Sequence, residues 1–365
     1  MTEQDPIGLQ GYDGIEFWVG NAKQAAHFYR RAFGFQLVGY AGPETGVRDR
    51  ASYVLQQRAI RFVLTSALQP DHEIARHHAA HGDGVRDVAF RVPDAARAHA
   101  AALDRGATSV RAPEKLVDEH GEVVIAAIAT YGDTVHSLVE RDHYGGVHLP
   151  GYERIADPVP SEPVGLSSVD HVVGNVELGR MDVWSAFYER VLGFSEFRHF
   201  SDEDISTDYT ALMSKVLWDG IGRVKLPINE PAEGRKRSQI EEYLDAYGGP
   251  GVQHLALSTG DIVGTVAALR ERGVGFLTVP DEYYVGARER VGEVDEAWDD
   301  LQEQGILVDR DDEGYLLQIF TEPVQDRPTV FFEIIQRHGA TGFGIGNFKA
   351  LFESIERAQA RRGNL

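Results

Sequence analysis

The sequence predicts an α+β protein of two homologous domains, each built of two βαβββ modules that form an open barrel, with a C-terminal gating helix. Three observations carry this. The chain repeats itself at long range, a proline-dense stretch separates the repeats, and the last strand carries a carboxylate just before an aromatic-faced helix. The period is far too long for a solenoid, so the repeat marks duplicated domains.

Taken in order, Gly14-Ile-Glu-Phe-Trp-Val-Gly-Asn21 reads as a strand, followed by an amphipathic helix ending in Phe28-Tyr29 and then Gly34-Phe35. The second half has the same order, with Val169-Asp-His-Val-Val-Gly-Asn175, then Phe187-Tyr188 and Gly193-Phe194, after a longer connection. Gly84-Val-Arg-Asp-Val-Ala-Phe90 with its helix to Arg105-Gly106 matches Gly251-Val-Gln-His-Leu-Ala-Leu257 with its helix to Arg272-Gly273. Thr134-Val-His-Ser-Leu-Val139 matches Thr329-Val-Phe-Phe-Glu-Ile334, each the return strand of a hairpin. Between the halves, Pro150, Pro158, Pro160 and Pro163 read as an extended linker. The expected division is 1–149, a structural domain without metal ligands; 150–163, the linker; and 164–365, the catalytic domain.

Of 365 residues, 36 are Lys or Arg and 57 are Asp or Glu, giving a formal charge of −21. Such a surface favours solubility and repels phosphate backbones and anionic membranes, so neither nucleic acid nor a membrane is expected as partner. There is no cysteine, which excludes disulfides, thiolate metal sites and a Cys nucleophile. Met1-Thr-Glu-Gln-Asp-Pro6 has neither a basic nor an apolar signal region, and no apolar run approaches membrane-spanning length. A cytoplasmic location is the expectation.

The strand Thr329 to Ile335 is apolar except for Glu333, and an ionised carboxylate there costs several kcal/mol unless a cation compensates it. The repeat acts as an internal control. Where the second half has His171, His254 and Glu333, the matched first-half positions are Phe17, Asp87 and Leu138, so the first half cannot offer the same site. Two imidazoles and a carboxylate form the facial set of non-haem Fe(II) oxygenases; zinc held by His2Glu is the chemical competitor. After the glycine-rich Gly342-Phe-Gly-Ile-Gly346, a helix over 347–360 with Asn347 as N-cap would place Phe348, Leu351, Phe352 and Ile355 on one face. The glycines lack GxGxxG spacing and a βαβ context, which excludes a dinucleotide loop. His77, His78 and His81 form an HHxxH pattern with no third ligand in sequence, and a solvated helix face explains it.

Val169-Asp-His171, Ala211-Leu-Met-Ser-Lys215, Pro227-Ile-Asn-Glu-Pro231, Ser238-Gln-Ile240, Gly251-Val-Gln-His254, Gly314-Tyr-Leu-Leu-Gln-Ile-Phe320, Arg327 to Ile334 and Gly346 to Phe352 together carry a resemblance. The chain resembles the 4-hydroxyphenylpyruvate dioxygenase family, of vicinal oxygen chelate fold, over nearly its whole length. The resemblance implies Fe(II) held by His171, His254 and Glu333. It implies a catalytic set that adds Gln239, Gln253 and Gln318, and a substrate pocket of Ser214, Asn229, Phe320, Phe331, Phe343 and Phe348. The implied reaction takes 4-hydroxyphenylpyruvate and O2 to homogentisate and CO2 in tyrosine and phenylalanine catabolism, in a homo-oligomer, dimer or tetramer. Strand alternation independently puts Gln318 with Phe320, and Phe331 with Glu333, on shared faces. Gln253, adjacent to His254, should point the other way in a regular strand. Either that strand is irregular or Gln253 acts from behind the ligand.

The nearest rival is 4-hydroxymandelate synthase, with the same triad and substrate; a smaller aliphatic residue in place of Phe348 and no match to Pro227–Glu230 would mark it. Extradiol ring cleavage and a small-ligand sequestering protein of the same fold are further alternatives. Asp281 to Arg290 departs from the family after its start and reads as a surface connection before Leu301 to Leu307.

Overall fold

The computed structural model describes residues 5–157, 159–200, 212–232 and 236–364. Residues 1–4 of the amino-terminal segment, Pro158 of the proline stretch and Ala211 of the motif it opens lie outside the described residues. The first half runs β1 (Gly11–Trp18), α1 (Ala22–Phe33), β2 (Gln36–Ala41), β3 (Arg50–Gln57), β4 (Ile60–Ala67), α2 (Glu73–His81), β5 (Gly84–Arg91), α3 (Ala95–Asp104), β6 (Ser109–Asp118), β7 (Gly121–Ala129) and β8 (Val135–Glu140). Within the proline stretch, β9 (Glu153–Arg154) pairs with β2 at the edge of the first sheet. The second half runs β10 (Leu166–Asn175), α4 (Met181–Leu192), β11 (Ser195–Phe200), β12 (Leu212–Trp218), β13 (Lys225–Pro231), α5 (Gln239–Tyr247), β14 (Gly251–Thr259), α6 (Ile262–Glu271), α7 (Glu282–Val291), α8 (Trp298–Glu303), β15 (Leu307–Arg310), β16 (Tyr315–Phe320), β17 (Phe331–His338) and α9 (Phe348–Arg362).

Local chemistry sets the element ends. Asn21, Asp94 and Asp261 accept from the amides of Gln24, Arg97 and Gly264 in the first turns of α1, α3 and α6, and Ser238 with Glu241 closes a capping box on α5. The repeated Gly-Phe pair is a helix stop. Gly34 and Gly193 both sit at φ +73°, the left-handed conformation that ends α1 and α4 and that a side chain would strain.

Each half is one curled mixed sheet of the expected βαβββ modules. The orders are β6-β7-β8-β5-β1-β4-β3-β2-β9 and β11-β12-β13-β10-β14-β17-β16-β15. In each, the first strands of the two modules pair antiparallel, and each pairs in parallel with its module's last strand. One hydrophobic core runs through both halves. Phe332 of β17 packs against Tyr29, Phe33 and Phe62 of the first half, with ring centroids 5.0–6.0 Å apart.

Strand register corrects two of the three expected correspondences between the halves. Trp18↔Gly84, Glu16↔Asp87 and Gly14↔Ala89 stand exactly as far along β1–β5 as Asn175↔Gly251, Val173↔His254 and His171↔Ala256 along β10–β14. The station of His171 is therefore Gly14, not Phe17. Likewise Leu138 pairs with Phe90 as Ile334 pairs with Leu257, so the station of Glu333 is Ser137, not Leu138. The shared Gly-Asn of Gly20-Asn21 and Gly174-Asn175 misleads, because Asn21 caps a helix whereas Asn175 ends a strand. Gly14, Asp87 and Ser137 still cannot reproduce the second-half site, and Ser137 donates both its N–H and its hydroxyl to Asp87.

Two further expectations change. Asn347 precedes α9 but does not cap it: its backbone is helical, it is fully buried, and its Oδ1 accepts from Tyr283 Oη at 2.6 Å. Asp281 to Arg290 is not a surface connection: it makes up nearly all of α7, which buries Tyr284, Ala287 and Val291.

Candidate metal centre and its pocket

His171 on β10, His254 on β14 and Glu333 on β17 meet at the middle of the second sheet, all buried. Glu333 Oε2 lies 3.1 Å from His171 Nε2 and 3.4 Å from His254 Nε2. A metal about 2.1 Å from each ligand would hold neighbouring ligands about 3.0–3.4 Å apart, the range of the two carboxylate–imidazole separations.

Two β-bulges orient the imidazoles. Asp170 is the extra residue between the pairs Val169↔Leu257 and His171↔Ala256, and Gln253 is the extra one between Gly174↔Val252 and Val173↔His254. A bulge puts consecutive side chains on one side of the strand. So Asp170 Oδ1 accepts from His171 Nδ1 at 2.8 Å, and Gln253 Oε1 faces His254 Nδ1 at 3.0 Å. Both alternatives for Gln253 hold together: the strand is irregular there, and the amide acts from behind the ligand while also lining the pocket.

With each Nδ1–H committed to an acceptor, the neutral rings turn lone pairs at Nε2 toward the Glu333 carboxylate. A cation between them resolves that opposition, and the donor set of two imidazoles and one carboxylate fits a divalent metal. Burial alone would raise the Glu333 pKa, but the two histidines outweigh it and hold the carboxyl down at about 2. Burial pushes His254 down, whereas for His171 the opposing pull of Glu333 and Asp170 prevails and raises it. Asp170 is anchored in turn by Arg337 at 2.8 and 2.9 Å and by Lys225 at 3.5 Å.

A cavity opens beside the triad. Its lining includes Ser214, Asn229, Gln239, Gln253, Phe320, Phe331, Phe343 and Phe348, so eleven of the twelve expected residues come together when the triad is counted. Phe331 stacks on His254 at 4.8 Å and Phe343 meets His171 edge-on at 5.0 Å, walling the ligands themselves. Gln318 departs from the expected wall. It lies on β16 across from Ile335, beneath Gly344, fully buried with no partner for its Nε2.

Val173, Phe200, Leu212, Val216 and Pro227 also line the wall, beyond the residues expected there. Leu212 and Val216 were discoverable, since they flank Ser214 at two-residue spacing on β12. α9 roofs the cavity with Phe348, Leu351, Phe352 and Ile355, the helix face expected from periodicity. A second group of possible ligands, His77, His81 and Asp133, lies in the first half.

Fold and site together define a vicinal oxygen chelate protein with a candidate metal centre in its second half. Residues 3–149 match the model "Hydroxyphenylpyruvate dioxygenase, HPPD, N-terminal", and residues 168–319 match the Glyoxalase/Bleomycin resistance protein/Dioxygenase superfamily. The chain is 49% identical to 4-hydroxyphenylpyruvate dioxygenase of Dictyostelium discoideum, over 98% of this chain and 100% of that protein. It is 50% identical to the Danio rerio enzyme of the same name, over 96% of this chain and 91% of that one. A solved triple mutant of 4-hydroxymandelate synthase from Streptomyces coelicolor superposes with a TM-score of 0.86 at 34% identity, covering 97% of this chain and 99% of the other. The chain belongs to the 4-hydroxyphenylpyruvate dioxygenase family. No helix among the described residues is long and apolar enough to cross a membrane.

Proposed function

We propose that the chain converts 4-hydroxyphenylpyruvate and O2 into homogentisate and CO2, with Fe(II) held by His171, His254 and Glu333. The observation that carries this reading is the buried His2Glu group facing a phenylalanine-walled, amide-lined cavity under α9, in a chain of this family. Bound Fe(II) would supply the redox chemistry with O2 that side chains lack.

The protein's own part is to bind, orient and keep dry. Ser214 and Asn229 stand opposite each other on β12 and β13, offering neutral hydrogen-bonding groups on one wall. Gln239, at the start of α5, and the Nε2 of Gln253 add amide donors, so a phenol or carbonyl is held without added charge. Gln318, whose Nε2 has no hydrogen-bond partner and lies against Gly344, is the remaining amide of the set. Phe320, Phe331, Phe343 and Phe348 exclude water from the reacting groups.

On this reading 164–365 is the catalytic domain, 1–149 the structural one and 150–163 the linker. The enzyme is cytoplasmic and a homo-oligomer, dimer or tetramer, which light scattering would measure. The test of the activity is to load the protein anaerobically with Fe(II), add 4-hydroxyphenylpyruvate, admit O2 and identify the aromatic product. Homogentisate is expected. 4-Hydroxymandelate as the main product, or no O2 uptake with iron bound, would overturn the reading.

A further inference from the structure

We propose a second metal site, for a zinc-like divalent cation, formed by His77, His81 and Asp133 at the seam between the two halves. His77 and His81 are four residues apart on α2, so both rings leave the same helix face, their centroids 4.5 Å apart. The missing third ligand of the HHxxH pattern comes from the turn between β7 and β8. There Asp133 Oδ2 lies 3.0 Å from His81 Nε2, and one ligand atom from each of the three residues falls within 4.8 Å of the others.

Ligands about 2.1 Å from a tetrahedral zinc stand about 3.4 Å apart. Asp133 already stands within that range of His81, and its side chain, 63% exposed, has room to move.

Two independent features point to a cation. His77 is buried against Trp18 and His81, yet neither ring nitrogen has a hydrogen-bond partner, so a lone pair is desolvated with nothing to receive it. Secondly, His81 is oriented as metal-bound histidines are. Its Nδ1 donates to the Tyr247 carbonyl at 2.6 Å, which leaves Nε2 unprotonated in the neutral ring and aimed at the Asp133 carboxylate. Those two acceptors face each other unless a cation joins them or the ring is protonated. Arg86, stacked on Trp18, is the nearby opposing charge.

The site would tie α2 to the β7–β8 turn of the first half, at the place where the second half packs on α2. α2 belongs to the first half, the Tyr247 carbonyl and ring to the end of α5, and Arg327, which leads into the strand of Glu333, donates to the carbonyls of Ala79 and Ala80. A bound cation would fasten α2 at this seam.

The test uses full-length protein carrying His171→Ala and His254→Ala, so that the triad does not compete. After chelator treatment it is titrated with Zn(II), and separately with Co(II) to read the visible ligand-field bands. The expected result is about one equivalent bound per chain, with a Tm that rises with free Zn(II). Adding Asp133→Asn, an exposed change that spares the core, should weaken binding about tenfold or more, and adding His81→Asn should abolish it. No bound Zn(II) in the triad-disabled protein, or undiminished affinity in both added variants, would overturn the proposal. Wild-type protein should likewise hold a Zn(II) beyond the triad's metal about tenfold more tightly than its Asp133→Asn variant, whose iron-dependent turnover should be unchanged. That comparison separates failure of this site from failure of the triad.

Discussion

Asp170 receives His171 on one side and Arg337 and Lys225 on the other, so a single carboxylate fixes both the tautomer and the direction of a candidate ligand. Burial would raise its pKa, yet the hydrogen bonds from His171 and Arg337 hold it well below the carboxylate range. Asp170→Asn removes the charge that anchors His171, and we expect iron affinity to fall about 10–100-fold, measured by anaerobic equilibrium dialysis. Unchanged affinity would show that the ring needs no such support. Phe348 acts differently: it meets Phe200 edge-on at 5.2 Å in the roof of the cavity. Phe348→Ile opens space where the aromatic ring of a substrate would lie, and the expected outcome is a shift from homogentisate toward 4-hydroxymandelate with iron content unchanged. An unchanged product ratio would remove Phe348 as the selector. Residue types were the most legible part of this site, because a lone carboxylate in an apolar strand is costly and therefore conspicuous. Gln318 shows the limit: alternation gave its face, but its contact with Gly344 depends on a loop whose path no local pattern encodes.

Elements explain what the repeat comparison could and could not reach. Strands, helices and their order were legible from alternation, glycine stops and Asn or Asp caps. Register between the halves was not, because the shared Gly-Asn pair stands three residues out of step in the two halves, and the bulges at Asp170 and Gln253 carry no sequence mark. They are nonetheless the devices that put an acceptor beside each histidine. The first half keeps bulges at Asp13 and Arg86, and Asp13 is paired with Arg141 and Arg61 much as Asp170 is with Arg337 and Lys225. The scaffold is duplicated while the ligands are not. α9 roofs the cavity, and its last turn is fastened to α5. Arg362 donates twice to Glu242, at 3.0 and 2.6 Å, and Asn364 adds a third bond at 2.7 Å. Because Glu242 is buried, Arg362→Ala leaves a carboxylate short of its main partner, and we expect docking of α9 to weaken by ~1–3 kcal/mol. Faster hydrogen exchange confined to α9, with a raised KM, is the result that checks it; exchange unchanged from wild type would mean the helix is held by its apolar face alone.

At the scale of the whole molecule, the halves share buried polar bonds as well as a core. His136 on β8 donates from Nδ1 to the Val88 carbonyl at 2.9 Å and accepts at Nε2 from Tyr188 Oη of α4 at 2.8 Å, while Thr130 meets the same hydroxyl at 2.7 Å. This bridge requires a neutral imidazole. Burial pushes the His136 pKa down from 6.5 to about 4, against the opposing effect of the Val88 bond. The sign follows from linkage: the unfolded chain binds a proton near pH 6.5 that the folded one refuses until about pH 4. The bridge therefore contributes its full stability above pH 6.5, and that contribution is lost as the pH falls toward 4. With the side chain fully buried, the loss amounts to ~3 kcal/mol. His77 is pushed down to about 4 in the same way, so the wild-type profile alone does not isolate one residue. The comparison that does is urea unfolding of wild type and His136→Gln at several pH values between 7.5 and 4.5. The variant should be less stable at neutral pH, and the gap should narrow steadily on acidification as wild type pays to protonate a buried ring. A gap that stays constant with pH would mean that His136 takes up its proton alike in the folded and the unfolded chain, and the bridge would then not depend on a neutral ring.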